Sequence, residues 1–382
     1  MRGGNTMFRT KTYGIIAICI IGLIMIGCAP AATPTPDPTA TPEPSPTPIP
    51  FANTCLVTDI GTINDGGFNQ YAYEGLLKAR EDYSLPEPTI LESSNEEDYT
   101  ENIARCLENG ADAIVTVGFL LESASVEAAR ENPSVYFIGV DQDASGVDDA
   151  PANYTGVQFR EDQAGFLVGV LAALIANEQE SDVIAGIYGL PVPAVKRFRN
   201  GYEQGALSVN PDWEIGTNIL GAYEESFVDE TVGIAAAASY LAQDASVIFG
   251  AGGPMGAAGI RYAAQQDVYV IGVDQDEYYT TFQEGTVDGS EYLVSSALKR
   301  VDQGVYDLIS LLAEGQFESF PGATNYTLDA TRGGIGFATK HDADIPDEIY
   351  EQVSATLRQL VAGDINTGVD VNTGDLIENS DS

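Results

Sequence analysis

Hydrophobic and polar positions along this chain alternate in blocks that are typical of buried strands and amphipathic helices. The clearest block occurs twice, as Val-Tyr-Phe-Ile-Gly-Val at residues 135–140 and as Val-Tyr-Val-Ile-Gly-Val at residues 268–273. Carboxylates end both copies, beginning at Asp141 and at Asp274. An apolar, β-branched run that stops at carboxylates is the pattern of a buried parallel strand whose last residues leave the sheet.

The two copies predict two lobes of similar construction. A helix-like segment precedes each copy, at residues 123–130 and 256–265, so each copy is predicted to be the last strand of a βαβ unit. Ligands of open parallel sheets bind outside the carboxyl ends of the strands. We therefore expect each lobe to present an aspartate to a shared cleft. The alternative is a coincidental pair of strands that end in solvated acidic turns.

The same alternation of strand and helix patterns continues through both lobes. Further strands are predicted at residues 55–58, 89–92, 112–117, 154–159, 183–188, 214–220 and 246–249, and near residues 326 and 335. Further helices are predicted at residues 71–81, 99–109, 163–176, 194–208, 229–241, 293–312 and 347–362. With right-handed crossovers, this order predicts an α/β fold of two doubly wound lobes.

Two polar loops between a strand and a helix are candidate binding elements. The first, residues 59–70, is rich in Gly, Asn and Asp, and the second is Gly-Ala-Gly-Gly-Pro-Met-Gly at residues 250–256. Such loops present backbone N–H groups and allow the backbone to approach a ligand closely. The first loop contains neither the GxGxxG nor the GxxxxGK pattern of phosphate-binding loops.

The amino-terminal 52 residues differ in composition from the lobes. Basic residues precede an apolar run at residues 14–27, which ends at Cys28. This predicts a signal peptide at residues 1–28 with a lipobox-like end, and lipid attachment at Cys28; the alternative is an uncleaved membrane anchor. Residues 29–52 are rich in Pro and Thr and predict a semi-rigid linker.

Charge and cysteine content limit the function classes. The chain has 57 acidic and 17 basic residues, and a net charge of −40 disfavours binding to nucleic acid. Cys55 and Cys106 remain in the exported part, where a disulfide is plausible, although two free buried thiols are the alternative. His341 is the single histidine and has no Cys or His nearby in sequence, so no metal site or Ser-His-Asp arrangement is expected.

Seven motifs in order along the chain carry a family resemblance. They lie at residues 58–75 (TDIGTINDGGFNQYAYEG), 163–169, 193–202, 227–229, 251–253, 271–274 and 299–302. Together they resemble the signature of the basic membrane lipoprotein family of PnrA-like purine nucleoside receptors. The resemblance covers residues 53 to about 365.

This resemblance implies a type I periplasmic-binding-protein fold, in which two lobes close on a ligand and deliver it to an ABC permease. The implied lobes are residues 53–160 with about 275–305, and residues 161–274 with about 306–365. Separately, the composition predicts an acidic tail at residues 366–382, without fixed structure from Gly368 onward. The implied location is the extracytoplasmic face of the cell membrane, through the lipid anchor.

The resemblance also implies a ligand and its contacts. The ligand would be a purine nucleoside such as inosine, adenosine or guanosine, bound without catalysis, cofactor or metal. The purine would stack between Phe68 and either Phe227 or Phe198, and Asp141 would hold the base. The ribose would contact Asp274, Lys299 and the Gly252 backbone. The remaining expected ligand-binding residues are Asp59, Asn64 and Asn69.

Two other function classes are compatible with the sequence. One is a nucleoside hydrolase that uses the acidic strand ends, which would need a calcium-binding aspartate cluster near the amino terminus; Asp59 and Asp65 alone support it weakly. The other is a lipid-anchored sensor or adhesin without a transporter. Turnover of inosine would identify the first, and an adjacent permease gene would argue against the second.

Overall fold

The computed structural model describes residues 51–377, which form two sheets with helices packed on them. The strands, in chain order, are β1 (Thr54–Ile60), β2 (Thr89–Ser93), β3 (Ala113–Val117), β4 (Tyr136–Val140), β5 (Tyr154–Phe159), β6 (Ile184–Tyr188), β7 (Ile219–Tyr223), β8 (Val247–Ala251), β9 (Tyr269–Asp274), β10 (Leu293–Lys299), β11 (Asn325–Leu328) and β12 (Ile335–Phe337). The helices are α1 (Phe68–Tyr83), α2 (Asp98–Glu108), α3 (Glu122–Glu131), α4 (Glu161–Glu178), α5 (Pro193–Val209), α6 (Glu230–Leu241), α7 (Gly253–Ala264), α8 (Val301–Ala313) and α9 (Asp347–Ala362).

The two sheets have equivalent strand orders. The first sheet runs β11-β5-β4-β3-β1-β2 and the second runs β12-β10-β9-β8-β6-β7. All pairs are parallel except β10 with β12. Strands such as β3, β6 and β8 are buried along their whole length, as expected for parallel strands that are covered on both faces. The predicted α/β fold of two doubly wound lobes is therefore confirmed, and each sheet with its helices is called a lobe below.

The chain passes between the lobes at three places. It leaves the first lobe after β5, returns to it after β10, and leaves again after β11. The first two passages share one device: the guanidinium of Arg160 donates two hydrogen bonds of 2.7 Å to Asp162, and that of Arg300 donates two of 2.8 Å to Asp302. These bidentate pairs fix the chain direction as it enters α4 and α8.

The predicted helix over residues 293–312 is wrong in its first part. Residues 293–299 form β10, which pairs with β9, and the helix α8 begins only at Val301. The segment Leu-Val-Ser-Ser-Ala-Leu-Lys contains few β-branched residues, so its pattern resembles a helix. As a result β10 belongs to the second lobe, whereas the predicted boundaries placed residues 275–305 in the first.

Two further boundaries differ from the predictions. Helix α8 packs on α1, and β11 pairs with β5, so residues 306–328, which were predicted for the second lobe, belong to the first. The strand predicted at residues 214–220 lies at Ile219–Tyr223 instead, because residues 214–218 form a turn before it.

The predicted unstructured tail is also wrong within the described residues. Thr367 and Val369 are buried, and Val369 forms an antiparallel bridge with Leu376. Buried side chains and backbone pairing explain why the segment is ordered although its sequence is acidic and polar.

The sulfur atoms of Cys55 and Cys106 form a disulfide that ties β1 to α2.

The predicted signal peptide and the lipid attachment at Cys28 lie outside the described residues, as does nearly all of the predicted linker. Within residues 51–377, none of the helices is both long and apolar enough to cross a membrane.

Helices α4 and α5 pack closely against each other, and this packing positions residues beside the cleft. A Cβ on Gly165 would lie 2.3 Å from the carbonyl oxygen of Phe198, and one on Gly201 would lie 2.2 Å from that of Asp162. Glycine is therefore required for this approach of the two helices. It brings Arg197 on α5 against Glu161 at the start of α4.

Candidate ligand-binding cleft

A cavity lies where the carboxyl ends of strands from both sheets meet. Small-molecule sites are typically concave and mostly apolar with a few placed polar groups, and the lining of this cavity has that character. Nine of the ten predicted ligand-binding residues line it: Asp59, Phe68, Asn69, Asp141, Phe198, Phe227, Gly252, Asp274 and Lys299. The tenth, Asn64, is exposed and does not line the cavity.

The two repeated strands deliver their aspartates to this cavity in the same way. Asp141 follows β4 and Asp274 ends β9, and their backbone φ angles are 61° and 64°. This left-handed conformation is uncommon for residues other than glycine, although aspartate tolerates it better than most. Strained backbone of this kind is concentrated at binding and catalytic sites.

Lys299 forms the centre of a buried ionic network. Its Nζ lies 2.6 Å from Oδ2 of Asp141 and 3.0 Å from Oε1 of Glu161. The other oxygen of Glu161, Oε2, accepts a hydrogen bond of 2.5 Å from Nε of Arg197. Lys299 is only 2% exposed, and Glu161 and Arg197 are fully buried.

The network fixes the charge of its members. Burial alone would lower the pKa of Lys299, but the nearby carboxylates of Asp141, Glu161 and Asp274 outweigh it and raise that pKa. Burial alone would raise the pKa of Glu161, but Arg197 and Lys299 hold it below its ordinary value. Both groups are therefore charged at neutral pH. Sequence reasoning missed Glu161 and Arg197, because their burial depends on helix packing and not on a local pattern.

The two strand-end aspartates have unused hydrogen-bonding capacity. Oδ1 of Asp141 is buried without a partner, and within residues 51–377 no side chain or backbone group donates to the carboxylate of Asp274. Burial raises the pKa of Asp274 to about 7, against the lowering effect of Lys299. Lys299 pairs with Asp141 rather than with Asp274, although the sequence predicted that Lys299 and Asp274 would act together on one part of the ligand.

Aromatic and aliphatic side chains form the rest of the cavity wall. Nζ of Lys299 lies 4.9 Å from the ring centroid of Phe68 and 5.9 Å from that of Phe198. Phe227 lies on a loop whose backbone is held by a hydrogen bond of 2.9 Å from the N–H of Met255 to its carbonyl. The wall residues that sequence reasoning missed are mainly apolar, with Asp65 the charged exception: Ile60, Asp65, Gly118, Phe119, Leu120, Val192, Ala194, Val195, Ala251, Gly253, Pro254 and Val273.

The first-lobe wall is held by hydrogen bonds at the start of α1. Asp65 accepts from the N–H groups of Gly67, Asn69 and Gln70, so it caps the helix that begins at Phe68. Oδ1 of Asp59 accepts from the hydroxyl of Tyr99 at 2.5 Å, and burial raises the pKa of this carboxyl. Both carboxylates therefore already accept hydrogen bonds from groups of the protein.

The pattern that defines the family described as "ABC transporter substrate-binding protein PnrA-like" (Bmp) matches residues 52–374. The chain belongs to the Bmp family. It is 30% identical over 326 residues to the CD4+ T-cell-stimulating antigen of Listeria monocytogenes, covering 81% of this chain and 86% of the relative. It is 29% identical over 322 residues to the ABC transporter nucleoside-binding protein BmpA of Lactococcus lactis, covering 81% and 87% of the two chains.

The fold of this Bmp-family chain is similar to that of solved solute-binding proteins. The crystal structure of an ABC transporter system solute-binding protein from Aeropyrum pernix K1 matches with a TM-score of 0.71 and 22% identity, covering 82% of this chain and 92% of that one. Such an identity supports the periplasmic-binding-protein fold alone. With the family match, the chain is a substrate-binding protein of the ABC transporter type.

Proposed function

We propose that the cleft binds purine nucleosides reversibly and that the chain delivers them to an ABC permease. The observation that carries the proposal is the combination of an aromatic cavity wall with two carboxylates, Asp141 and Asp274, that retain free acceptor capacity. A purine offers a flat apolar face to the aromatic rings, and a ribose offers hydroxyl donors to the carboxylates.

The charges of the cavity support an uncharged ligand. Asp59, Asp65, Asp141 and Asp274 line it with Lys299 as the single cation, and that cation is already paired with Asp141 and Glu161. A phosphate group would face carboxylates without a free positive partner, which is unfavourable in a buried site. Nucleosides are therefore favoured over nucleotides. The Lactococcus lactis relative is named a nucleoside-binding protein, which supports the same ligand class.

A thermal-shift panel of inosine, adenosine, guanosine, inosine monophosphate, ribose, glucose and amino acids tests the proposal. Ligand at a hundred times its dissociation constant should stabilise the protein by about 2.7 kcal/mol. We expect shifts with one or more nucleosides and none with the nucleotide. Shifts with sugars or amino acids, without any for nucleosides, would contradict the assignment.

The proposed delivery requires attachment to the outer face of the membrane, through a lipid on Cys28. The Borreliella burgdorferi relative named basic membrane protein A, 31% identical over 221 residues, is consistent with this location. Replacement of Cys28 by Ser should move the protein from the membrane fraction to the soluble one. Retention in the membrane would instead support an uncleaved anchor.

A further inference from the structure

The segment at residues 364–377 lies against the second lobe beside the cleft. The hydroxyl of Thr367 donates a hydrogen bond of 2.5 Å to Oδ2 of Asp162, at the start of α4. The side-chain amide of Asn200 donates one of 2.6 Å to the carbonyl of Gly374, and Lys196 forms an ion pair of 3.0 Å with Asp375. We call residues 364–377 the C-terminal segment.

The C-terminal segment also contributes backbone acceptors to Arg197. Nη1 of this arginine donates to the carbonyl oxygens of Val371 at 2.9 Å and Asn372 at 3.4 Å. The fully buried Arg197 needs such partners, because a buried charge without hydrogen bonds is strongly unfavourable. The planar guanidinium holds the carbonyls on one nitrogen and Glu161 on another, so its orientation depends on both.

From Arg197 the contacts continue to the cavity. Glu161 accepts from Arg197 through one carboxylate oxygen and faces Lys299 with the other, and Lys299 in turn contacts Asp141. Lys299 and Asp141 line the cavity, but no residue of the C-terminal segment does. The segment therefore reaches the ligand site through Arg197 and Glu161.

We propose that the C-terminal segment is a positioning element for the binding site, which sets ligand affinity by fixing Arg197 and, through Glu161, the ammonium group of Lys299. The proposal rests on the proposed function in taking a nucleoside as the ligand beside Lys299. Arg197 and Glu161 are positioning residues, since the cavity wall does not include them.

Two glycines of the segment provide a matched pair of variants. Gly374 and Gly368 have φ angles of 75° and 73°, so alanine carries a similar backbone cost at each position. A Cβ at Gly374 would lie 2.5 Å from the carbonyl oxygen of Pro193 and 3.0 Å from the backbone nitrogen of Arg197, whereas a Cβ at Gly368 meets nothing within 4 Å. Gly374→Ala should therefore displace the segment from α5, and Gly368→Ala should not.

The test compares both variants in the full chain by two measurements. The first is the side-chain NMR signal of Lys299 without ligand, in protein labelled at its five lysines and assigned with Lys299→Met. The second is the calorimetric dissociation constant for inosine. We expect Gly374→Ala to shift the Lys299 signal and to weaken inosine about tenfold, as for loss of one hydrogen bond to a charged group. Gly368→Ala should leave the signal in place and the affinity within about twofold.

The outcomes separate the positioning role from the ligand assignment. An unchanged Lys299 signal in Gly374→Ala, or equal effects of the two alanines, would overturn the positioning role. If the wild type binds no nucleoside, the proposed function fails, while the Lys299 signal still tests the positioning role. Should Gly374→Ala not fold, Asp370→Ala serves instead, because Asp370 accepts from the N–H groups of Asn372 and Thr373 and adds no atoms when truncated.

Discussion

Asp141 and Asp274 occupy equivalent places in the two lobes, but their surroundings give them different properties. Asp141 is paired with Lys299 at 2.6 Å, which leaves one oxygen free. In the described part of the chain Asp274 has no such partner, and burial raises its pKa to about 7. A ligand hydroxyl that donates to Asp274 would supply the hydrogen bond that the protein does not, so we assign this carboxylate to the ribose.

We expect Asp274→Ala to weaken inosine more than deoxyinosine, measured by calorimetry at pH 8. A hydrogen bond to a charged group is worth about 1.5–3 kcal/mol, so the loss for inosine should be roughly 10- to 150-fold. Deoxyinosine lacks one hydroxyl and should lose less. Asp141→Ala is the matched comparison, since it should weaken both ligands alike.

Equal losses for the two ligands in Asp274→Ala would show that Asp274 does not bind the hydroxyl that distinguishes them. The pH of 8 lies above the pKa of about 7, so wild-type Asp274 is largely ionised during the measurement.

At the residue scale, the sequence predicted cavity residues best where a polar side chain ends a strand. The repeated strands pointed to Asp141 and Asp274, and both line the cavity. Asn64 is exposed and lies outside the cavity lining, although its neighbour Asp65 on the same loop lines the cavity. Glu161 and Arg197 gave no signal, because nothing in a sequence shows that two charged residues on different helices will be buried together.

At the scale of elements, each repeated strand contains a glycine against which a side chain from just after the strand packs. A Cβ on Gly139 would lie 2.1 Å from Oε1 of Gln142, and one on Gly272 would lie 2.8 Å from Glu277. In the first lobe the Gln142 amide donates to the carbonyl of Gly118 at 2.9 Å. In the second, Oε1 of Glu277 accepts from the N–H of Val273 at 2.9 Å, and Oε2 has no hydrogen-bond partner among residues 51–377.

Glu277→Gln should stabilise the protein at pH 8 and have little effect at pH 5. Burial raises the pKa of Glu277 to about 7, so the folded state holds this proton more tightly than the unfolded state. The associated stability is present below the unfolded pKa of about 4.5 and is lost as pH rises through 7, by up to about 1.4 kcal/mol per unit. Glutamine does not titrate and keeps the acceptor for Val273.

Thermal unfolding at both pH values measures this difference, with a rise of about 2 °C or more expected at pH 8. The exposed Glu351→Gln on α9 is the control and should show no such pH dependence. An equal effect of Glu277→Gln at pH 5 and pH 8 would contradict a titrating, buried Glu277.

The sequence also predicted elements unevenly. The strand β5, at residues 154–159, was found within its predicted bounds because four of its six residues, Tyr154, Thr155, Val157 and Phe159, are β-branched or aromatic. The strand β10 was mistaken for a helix, because Ser and Ala carry little strand preference and its pairing with β9 decides the structure. The error at β10 also explains why most of α8 and β11 were predicted in the wrong lobe. Their lobe depends on where the chain crosses between the lobes, and that crossing follows β10.

At the scale of the whole molecule, the lobes touch at the mouth of the cleft as well as through their three connections. The side-chain amide of Gln275 in the second lobe lies 3.4 Å from the carbonyl oxygen of Gly67 in the first. Lys299, from the second lobe, contacts Asp141 of the first. Because residues of both lobes surround the cavity, separation of these contacts would open it to a ligand.

We therefore expect the lobes to move as rigid bodies about the three passages, and the ligand to favour the closed arrangement. Small-angle scattering of a chain that begins at residue 51 should give a smaller radius of gyration with saturating inosine than without it. The Arg160–Asp162 and Arg300–Asp302 ion pairs fix the chain direction at the first two passages between the lobes. We therefore expect the backbone to bend at the residues next to these pairs.

Phe68→Ala provides the control, because it removes a cavity wall without touching the passages. At an inosine concentration that saturates only the wild type, the variant should remain as extended as the ligand-free protein. A radius that does not change in the saturated wild type would contradict hinge closure. The ligand would then have to enter through local movement of the loops at the mouth, such as the one that carries Gln275, while the lobes stay together.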